Sequence, residues 1–227
     1  MKQSPPDNDS GRNPRTPAPD GLPPLLHADN RILVFIKPPG LLSVPGIGPE
    51  KADCLASRAE AAFPGARIVH RLDRDTSGVI VMARDADTHR ELSRQFHDRE
   101  VDKQYEAVVG GRLAVDDGVI DAPMRKDLDD PPRQIIDDEQ GRSAKTGFRV
   151  IERMDDRTRM ELSPVTGRSH QLRVHMMSIG HPILGDDLYA TPELLSMSRR
   201  LLLHATLLTI THPATGKPVT FHDPCPF

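Results

Sequence analysis

Arg67-Ile-Val-His-Arg-Leu-Asp73 and Gly78-Val-Ile-Val-Met-Ala83 are two apolar runs separated by the polar stretch Arg74-Asp-Thr-Ser77. Short apolar runs around a polar turn read as two buried strands. The same pattern repeats outward. Arg31-Ile-Leu-Val-Phe-Ile-Lys37 is a strand stopped by Pro38-Pro39-Gly40. Lys103 to Val109 alternates as a strand and ends at Gly110-Gly111, and further strands are expected at 143–152, 158–165, 201–211 and 218–221. Helices are fewer. One is expected over 50–63 and a short one over 192–199. Another is capped by Asp85 and runs to about Asp98, with Leu92 and Phe96 on one face. A fourth spans Ser169 to Ile179, with Leu172, Met176 and Ile179 aligned and Gly180 as its stop. Residues 116–140, acidic and interrupted by Pro131-Pro132, read as a weakly structured excursion. Strands outnumber helices and do not alternate with them. The expected fold class is α+β, on a mixed, mostly antiparallel central sheet flanked by helices and loops. No internal repeat is visible.

Composition narrows the function. The chain has 227 residues, enough for one sizeable folded unit. Residues 1–25 are rich in Pro, Asp, Asn, Ser and Gly without periodicity, so they read as a disordered tail, and the folded part is expected over 26–227. No run approaches the roughly 18 apolar residues of a membrane span, and no leader pattern is present, which points to a cytoplasmic protein without a membrane partner. Cys54 and Cys225 are the only cysteines, which excludes a disulfide framework and a zinc ribbon. Net charge is -3, which excludes a bulk polyelectrolyte binder but not a local basic patch. Residues 113–140 carry nine acids and three bases, whereas 141–175 carry eight bases and four acids. There is no Trp, and aromatic content is 4%, so base stacking rests on Tyr105 or Tyr189.

Two segments carry candidate chemistry. In His70-Arg-Leu-Asp-Arg-Asp-Thr-Ser-Gly78, Asp73 ends a buried strand, where a carboxylate can be held rigidly at a cleft edge as nucleophile or base. The alternative is a turn whose aspartates cap backbone N–H groups. In Thr166-Gly-Arg-Ser-His-Gln-Leu-Arg-Val-His175, Ser169 or Thr166 can cap the following helix. Arg168 sits near that helix's N-terminus, an unfavourable place for a cation unless it holds an anion. Arg173 lies beside the apolar Leu172 and, if buried, requires a carboxylate partner; the alternative is a solvated helical face. His170 and His175 lie on different faces without a nearby cysteine, so a metal site is disfavoured. A Ser77-based triad lacks the Gly-x-Ser-x-Gly elbow, and phosphate-cradling glycine motifs are absent.

These segments together resemble the RluA family of pseudouridine synthases. The resemblance covers about residues 26–226. It includes Lys37-Pro-Pro-Gly-Leu-Leu-Ser-Val-Pro45, Lys103-Gln-Tyr-Glu-Ala-Val-Val-Gly110, His181-Pro-Ile-Leu-Gly-Asp186 and Leu201-Leu-Leu-His-Ala205, besides the two segments above. It implies a pseudouridine synthase fold with an RNA-binding cleft, no S4-type RNA-binding domain, and no cofactor. The implied reaction breaks the N-glycosidic bond of a uridine in RNA, rotates the uracil and rejoins it through C5. Asp73 matches the nucleophile and Tyr105 the ring that packs on the uracil. Arg173 matches the arginine that pairs with the nucleophile, and Arg71 the residue that fills the stack left by the flipped base. Arg71, Arg74, Arg168, His170 and Gln171 are the expected RNA-binding residues. The implied partners are structured RNAs, namely 23S rRNA and tRNA stem-loops, handled by a monomer. Two other readings remain at this stage. One is a non-catalytic RNA-loop binder. The other is a carboxylate hydrolase with Asp75 as second acid, which requires two carboxyl groups about 5 to 10 Å apart.

Overall fold

A computed structural model describes residues 19 and 21–227. The strands are β1 (Leu25–Ala28), β2 (Ile32–Lys37), β3 (Arg67–Ile68), β4 (Ser77–Ala83), β5 (Asp102–Gly110), β6 (Asp117–Asp121), β7 (Met124–Lys126), β8 (Gln134–Ile136), β9 (Lys145–Arg153), β10 (Arg157–Pro164), β11 (Leu203–Thr211) and β12 (Pro218–His222). The α-helices are α1 (Leu55–Ala62), α2 (Ala86–Asp98), α3 (Gln171–Ser178) and α4 (Pro192–Ser196). Ten strands form one sheet in the order β1-β2-β4-β11-β5-β10-β9-β6, with β12 on β11 and β3 on β4. Only the β4–β11 pairing is parallel, so the sheet is mixed and mostly antiparallel, as the sequence pattern predicts.

The continuous apolar runs belong to strands covered on both faces. From β2 and β4, Leu33, Phe35, Ile80 and Met82 face one side, where Leu55 and Ala59 of α1 cover them. Ile32, Val34, Val79 and Val81 face the other, packed with Leu92 of α2 and with Leu208 and Ile210 of β11. All seven residues of β4 are buried. Gly78 of β4 has φ +118, and a Cβ there would lie 2.2 Å from the Ala205 carbonyl oxygen of β11. Any side chain at this position would separate the two central strands, so the glycine is required for the parallel pairing.

Several local expectations are corrected. Folded structure begins before residue 26, because Leu22 packs on the core and the Pro24 carbonyl accepts from the Ile36 N–H. The rest of the expected tail, residues 1–18 and 20, lies outside the described residues. The expected strand 67–73 is reduced to Arg67 and Ile68, which pair with Ala83 and Met82, and Leu72 is bound to Ser43 instead. The expected helix 50–63 is split. A 3₁₀ turn covers Pro49–Lys51, and α1 starts after Cys54, whose Sγ accepts from the Ser57 N–H. Residues 116–140 hold the edge strand β6 and the β7/β8 hairpin. Acidic residues hid the alternation in which Ile120 turns inward. Helix α3 starts at Gln171, after His170 in a left-handed conformation without a side-chain cap. Thr166 does not cap it, because its hydroxyl bonds Lys145 and Gln171 instead.

Candidate active site

Asp73 lies between β3 and β4, in a segment held from both sides by the Lys37–Ser43 turn. The Ser43 hydroxyl donates to the Leu72 carbonyl at 2.7 Å and accepts from the Leu72 N–H at 3.1 Å. The Lys37 ammonium, buried completely, donates to the carbonyls of Pro38, Leu41 and Arg74 at 2.7 to 2.9 Å. The Gly40 N–H reaches the same Arg74 carbonyl. The residues on either side of Asp73 are thus fixed by two side chains that the sequence reading quoted but gave no role. Burial pulls Lys37 down to about 7, against the opposing effect of the Asp75 and Asp73 charges. Asp73 itself is half-buried and opens onto a cavity of about 550 Å³, a size suited to a small ligand or one flipped nucleotide.

Tyr105 and Lys103 project from one face of β5 into this cavity, two residues apart as strand geometry requires. Burial and then the Asp73 charge push the Tyr105 phenol above its ordinary range, so it stays protonated and able to donate. His70 also lines the cavity, stacked on Phe96 at 4.4 Å. Its Nε2 accepts from the Val81 N–H, and burial, aided by Lys103, holds its pKa at about 3. It is therefore a neutral, flat wall.

Across the cavity, α3 presents Arg173. It is 3% exposed and bound in a fork by Asp186, itself fully buried, with Nε donating at 2.7 Å. Asp187 lies 3.0 Å away. The sequence-level need for a carboxylate partner is met by Asp186, where the family resemblance suggested Asp73. Asp73 acts on Arg173 through space: burial opposes the guanidinium charge, and the Asp186 bonds together with the charges of Asp186, Asp73 and Asp187 keep it above its ordinary value. The Asp186 signal was present in the sequence as His181-Pro-Ile-Leu-Gly-Asp186, but nothing there fixed its partner.

The other expected contacts divide. Arg71 and Arg168 line the cavity, Arg71 exposed beside Asp73, and Arg168 with its Nε on the Ser143 carbonyl. His170 lines it too, with Nδ1 2.8 Å from the Tyr189 hydroxyl. Gln171 also lines the cavity, and its amide braces the loop beside it. Its amide oxygen accepts from Thr166 and from the Arg168 N–H, and its NH₂ donates to Lys145 and Thr146, which uses its full capacity. Arg74 does not line the cavity; it is bound to Asp75 at 3.0 Å and lies 3.7 Å from Asp187. That leaves Asp75 engaged outside the cavity, and among the described residues Asp73 is the one carboxylate that lines it, so a two-carboxylate hydrolase is not supported. Of the two tyrosines, Tyr189 is 8% exposed beneath Arg173, so only Tyr105 offers a ring to a base. Ser77 does meet a histidine and an aspartate: its hydroxyl is 2.8 Å from His204 Nδ1, and His204 Nε2 is 3.2 Å from Asp223. All three are buried and outside the cavity, so they tie β4 and β11 to the C-terminal segment and cannot reach a substrate. Among the described residues, no three of His, Cys, Asp and Glu gather as a metal-binding group.

A half-buried aspartate on a braced turn, a protonated tyrosine and a buried arginine around one nucleotide-sized cavity fit a base-modifying isomerase. The family profile described as RNA pseudouridylate synthase matches residues 31–178, and the chain belongs to that family. It is an RNA pseudouridine synthase. Its relatives make the placement closer. The dual-specificity RNA pseudouridine synthase RluA of Yersinia pestis is 54% identical over 198 residues, covering 87% of this chain and 96% of the relative. The same-named protein of Escherichia coli strain K12 is 50% identical over 204 residues, covering 89% and 93%. In structure, human RNA pseudouridylate synthase domain containing 1 aligns with a TM-score of 0.77 at 27% identity, over 93% of this chain and 87% of that one.

Proposed function

We propose that this chain isomerises uridines in two kinds of RNA stem-loop, a 23S rRNA hairpin and the tRNA anticodon loop, acting in the cytoplasm as a monomer, with the folded part from about Leu22 onward as the catalytic unit. The convergence of Asp73, Tyr105 and Arg173 on one cavity supports this most directly. A uridine in a loop is stacked and must leave the stack to be reached. The exposed Arg71, which among the described residues has no carboxylate at ion-pair distance, offers a planar guanidinium beside Asp73 to fill the gap. The flipped uracil lies against the Tyr105 ring. Asp73 acts as nucleophile, and the Arg173 guanidinium, fixed by Asp186, faces it. Arg168 and His170 contact the RNA from the cavity rim. The dual range is supported by the name shared by the relatives and by the small size of the site, which reads a local loop fold.

The test is tritium release. Each stem-loop is transcribed with uridine tritiated at C5, because the new bond at C5 expels that label into water. Release from both RNAs is expected. Release from one alone contradicts the dual range, and release from neither contradicts the proposed substrates.

A further inference from the structure

Three arginines from separate elements meet at the cavity mouth. Arg99 follows α2, Arg142 leads into β9, and Arg168 lies between β10 and α3; all three line the cavity. Among the described residues, none of them has a carboxylate at ion-pair distance, whereas Arg94, five residues before Arg99, engages Glu91, Asp98 and Glu100. Their mutual repulsion is real: burial and then the charges of Arg142 and Arg99 lower the Arg168 guanidinium from its ordinary value.

The backbone gives a second, independent sign. Among the described residues, only two non-glycine residues have positive φ, Arg99 at 62° and His170 at 56°, and both line this cavity. A left-handed residue at a helix end is ordinarily glycine, because a Cβ is disfavoured there. The helix needs from Arg99 only its N–H, donated to the Gln95 carbonyl, which glycine would supply equally. An arginine held in this conformation points to a use for its side chain.

We propose that Arg99, Arg142 and Arg168 form a clamp for backbone phosphate of the RNA strand that enters the cavity, next to the flipped uridine. Guanidinium groups bind phosphate oxygens through paired N–H bonds and remain charged at any working pH. An anion between the three offsets their mutual repulsion. A phosphate is common to every nucleotide, so the clamp holds and orients the strand without reading its sequence. This lets one site accept different loops, and it rests on the RNA-modifying function proposed above.

The decisive protein is the double variant Arg99→Gly/Arg142→Gln, compared with each single variant. Binding to two stem-loops of different loop sequence is measured between low and moderate salt. The plot of log affinity against log salt should flatten by about 0.7 to 0.9 per arginine removed. The affinity loss should be similar for both RNAs. Arg99→Gly should melt at or above the wild-type temperature, because glycine relieves the left-handed strain. An unchanged salt slope overturns the proposal, as does a loss confined to one loop sequence, which would mean base reading. Loss of stability in Arg99→Gly with intact binding also overturns it, because Arg99 would then serve the helix. Tritium release by the wild type is scored separately. Its absence, with the salt behaviour as predicted, would refute the substrate proposal and leave the clamp standing.

Discussion

Replacing Asp186 with alanine should destabilise the protein more than any surface change, and the structure sets the size. Arg173 is 3% exposed and loses its forked partner, and the N–H groups of Leu188 and Tyr189 lose the acceptor that Asp186 Oδ1 supplies at 2.9 and 3.0 Å. Stranding a buried charge costs about 3 to 5 kcal/mol. Asp187, half-exposed at 3.0 Å, recovers part of this. A net loss of about 4 kcal/mol moves a urea midpoint by roughly 2 M at a slope near 2 kcal/mol per M. Asp186→Asn keeps an oxygen for the two N–H groups, so about half that shift is expected. The pair Arg173→Met with Asp186→Leu replaces the ions by apolar groups and should recover about half of the Asp186→Ala shift, because the Leu188 and Tyr189 N–H groups still lack the acceptor that Asp186 supplied. That double variant should fold but not turn over, because the Arg173 guanidinium no longer faces Asp73. The reasoning fails if Asp186→Ala unfolds at the wild-type midpoint, or if the double variant regains activity along with stability.

Further predictions concern the groups around the site. Burial holds the Lys37 amine at about 7 in the fold, against about 10.4 in an unfolded chain. Between these values the unfolded chain carries the extra proton, so stability rises with pH, by at most about 1.4 kcal/mol per unit. Lys37→Met should flatten that rise, and equal pH slopes in urea titrations of variant and wild type would contradict it. Tyr105→Phe keeps the ring and loses the protonated hydroxyl. RNA affinity should hold while kcat falls about 10²- to 10⁴-fold if the hydroxyl moves a proton, and an equal loss of affinity would place its role in binding instead. Asp85 caps α2 by accepting from the Thr88 N–H at 2.7 Å. Asp85→Ala should cost about 1 kcal/mol, seen as a lower urea midpoint without loss of chemistry at saturating RNA.

The sequence disclosed the central strands because they are buried on both faces, which leaves unbroken runs such as Gly78–Ala83. It disclosed α2 because Asp85 marks its start and Leu92 and Phe96 its inner face. The β6 strand and the β7/β8 hairpin were hidden because edge strands tolerate the charges that usually mark loops. Asp73, Tyr105 and Arg173 were legible through local motif. Their supports were not, because those contacts join distant segments: Ser43 to Leu72, Lys37 to Arg74, and Asp186 to Arg173. Gln171 illustrates the limit. Its neighbours Arg168 and His170 line the same cavity and each keeps ring or guanidinium nitrogens beyond its one bond, to Ser143 and to Tyr189, whereas the Gln171 amide is committed to Thr166, Lys145 and Thr146. Nothing in a local motif distinguishes a polar residue that faces a ligand from one that braces the loop presenting it.

The central claim is that the Asp73 carboxylate carries the chemistry. Among the described residues, no side chain holds it at ion-pair distance, and its neighbours are fixed through main-chain atoms. Asp73→Asn therefore leaves the fold and the RNA contacts in place. Single-turnover tritium release from a stem-loop at saturating enzyme, with binding measured in parallel, decides the matter. The account predicts RNA affinity like that of wild type and no release. Release near the wild-type rate from Asp73→Asn would contradict it.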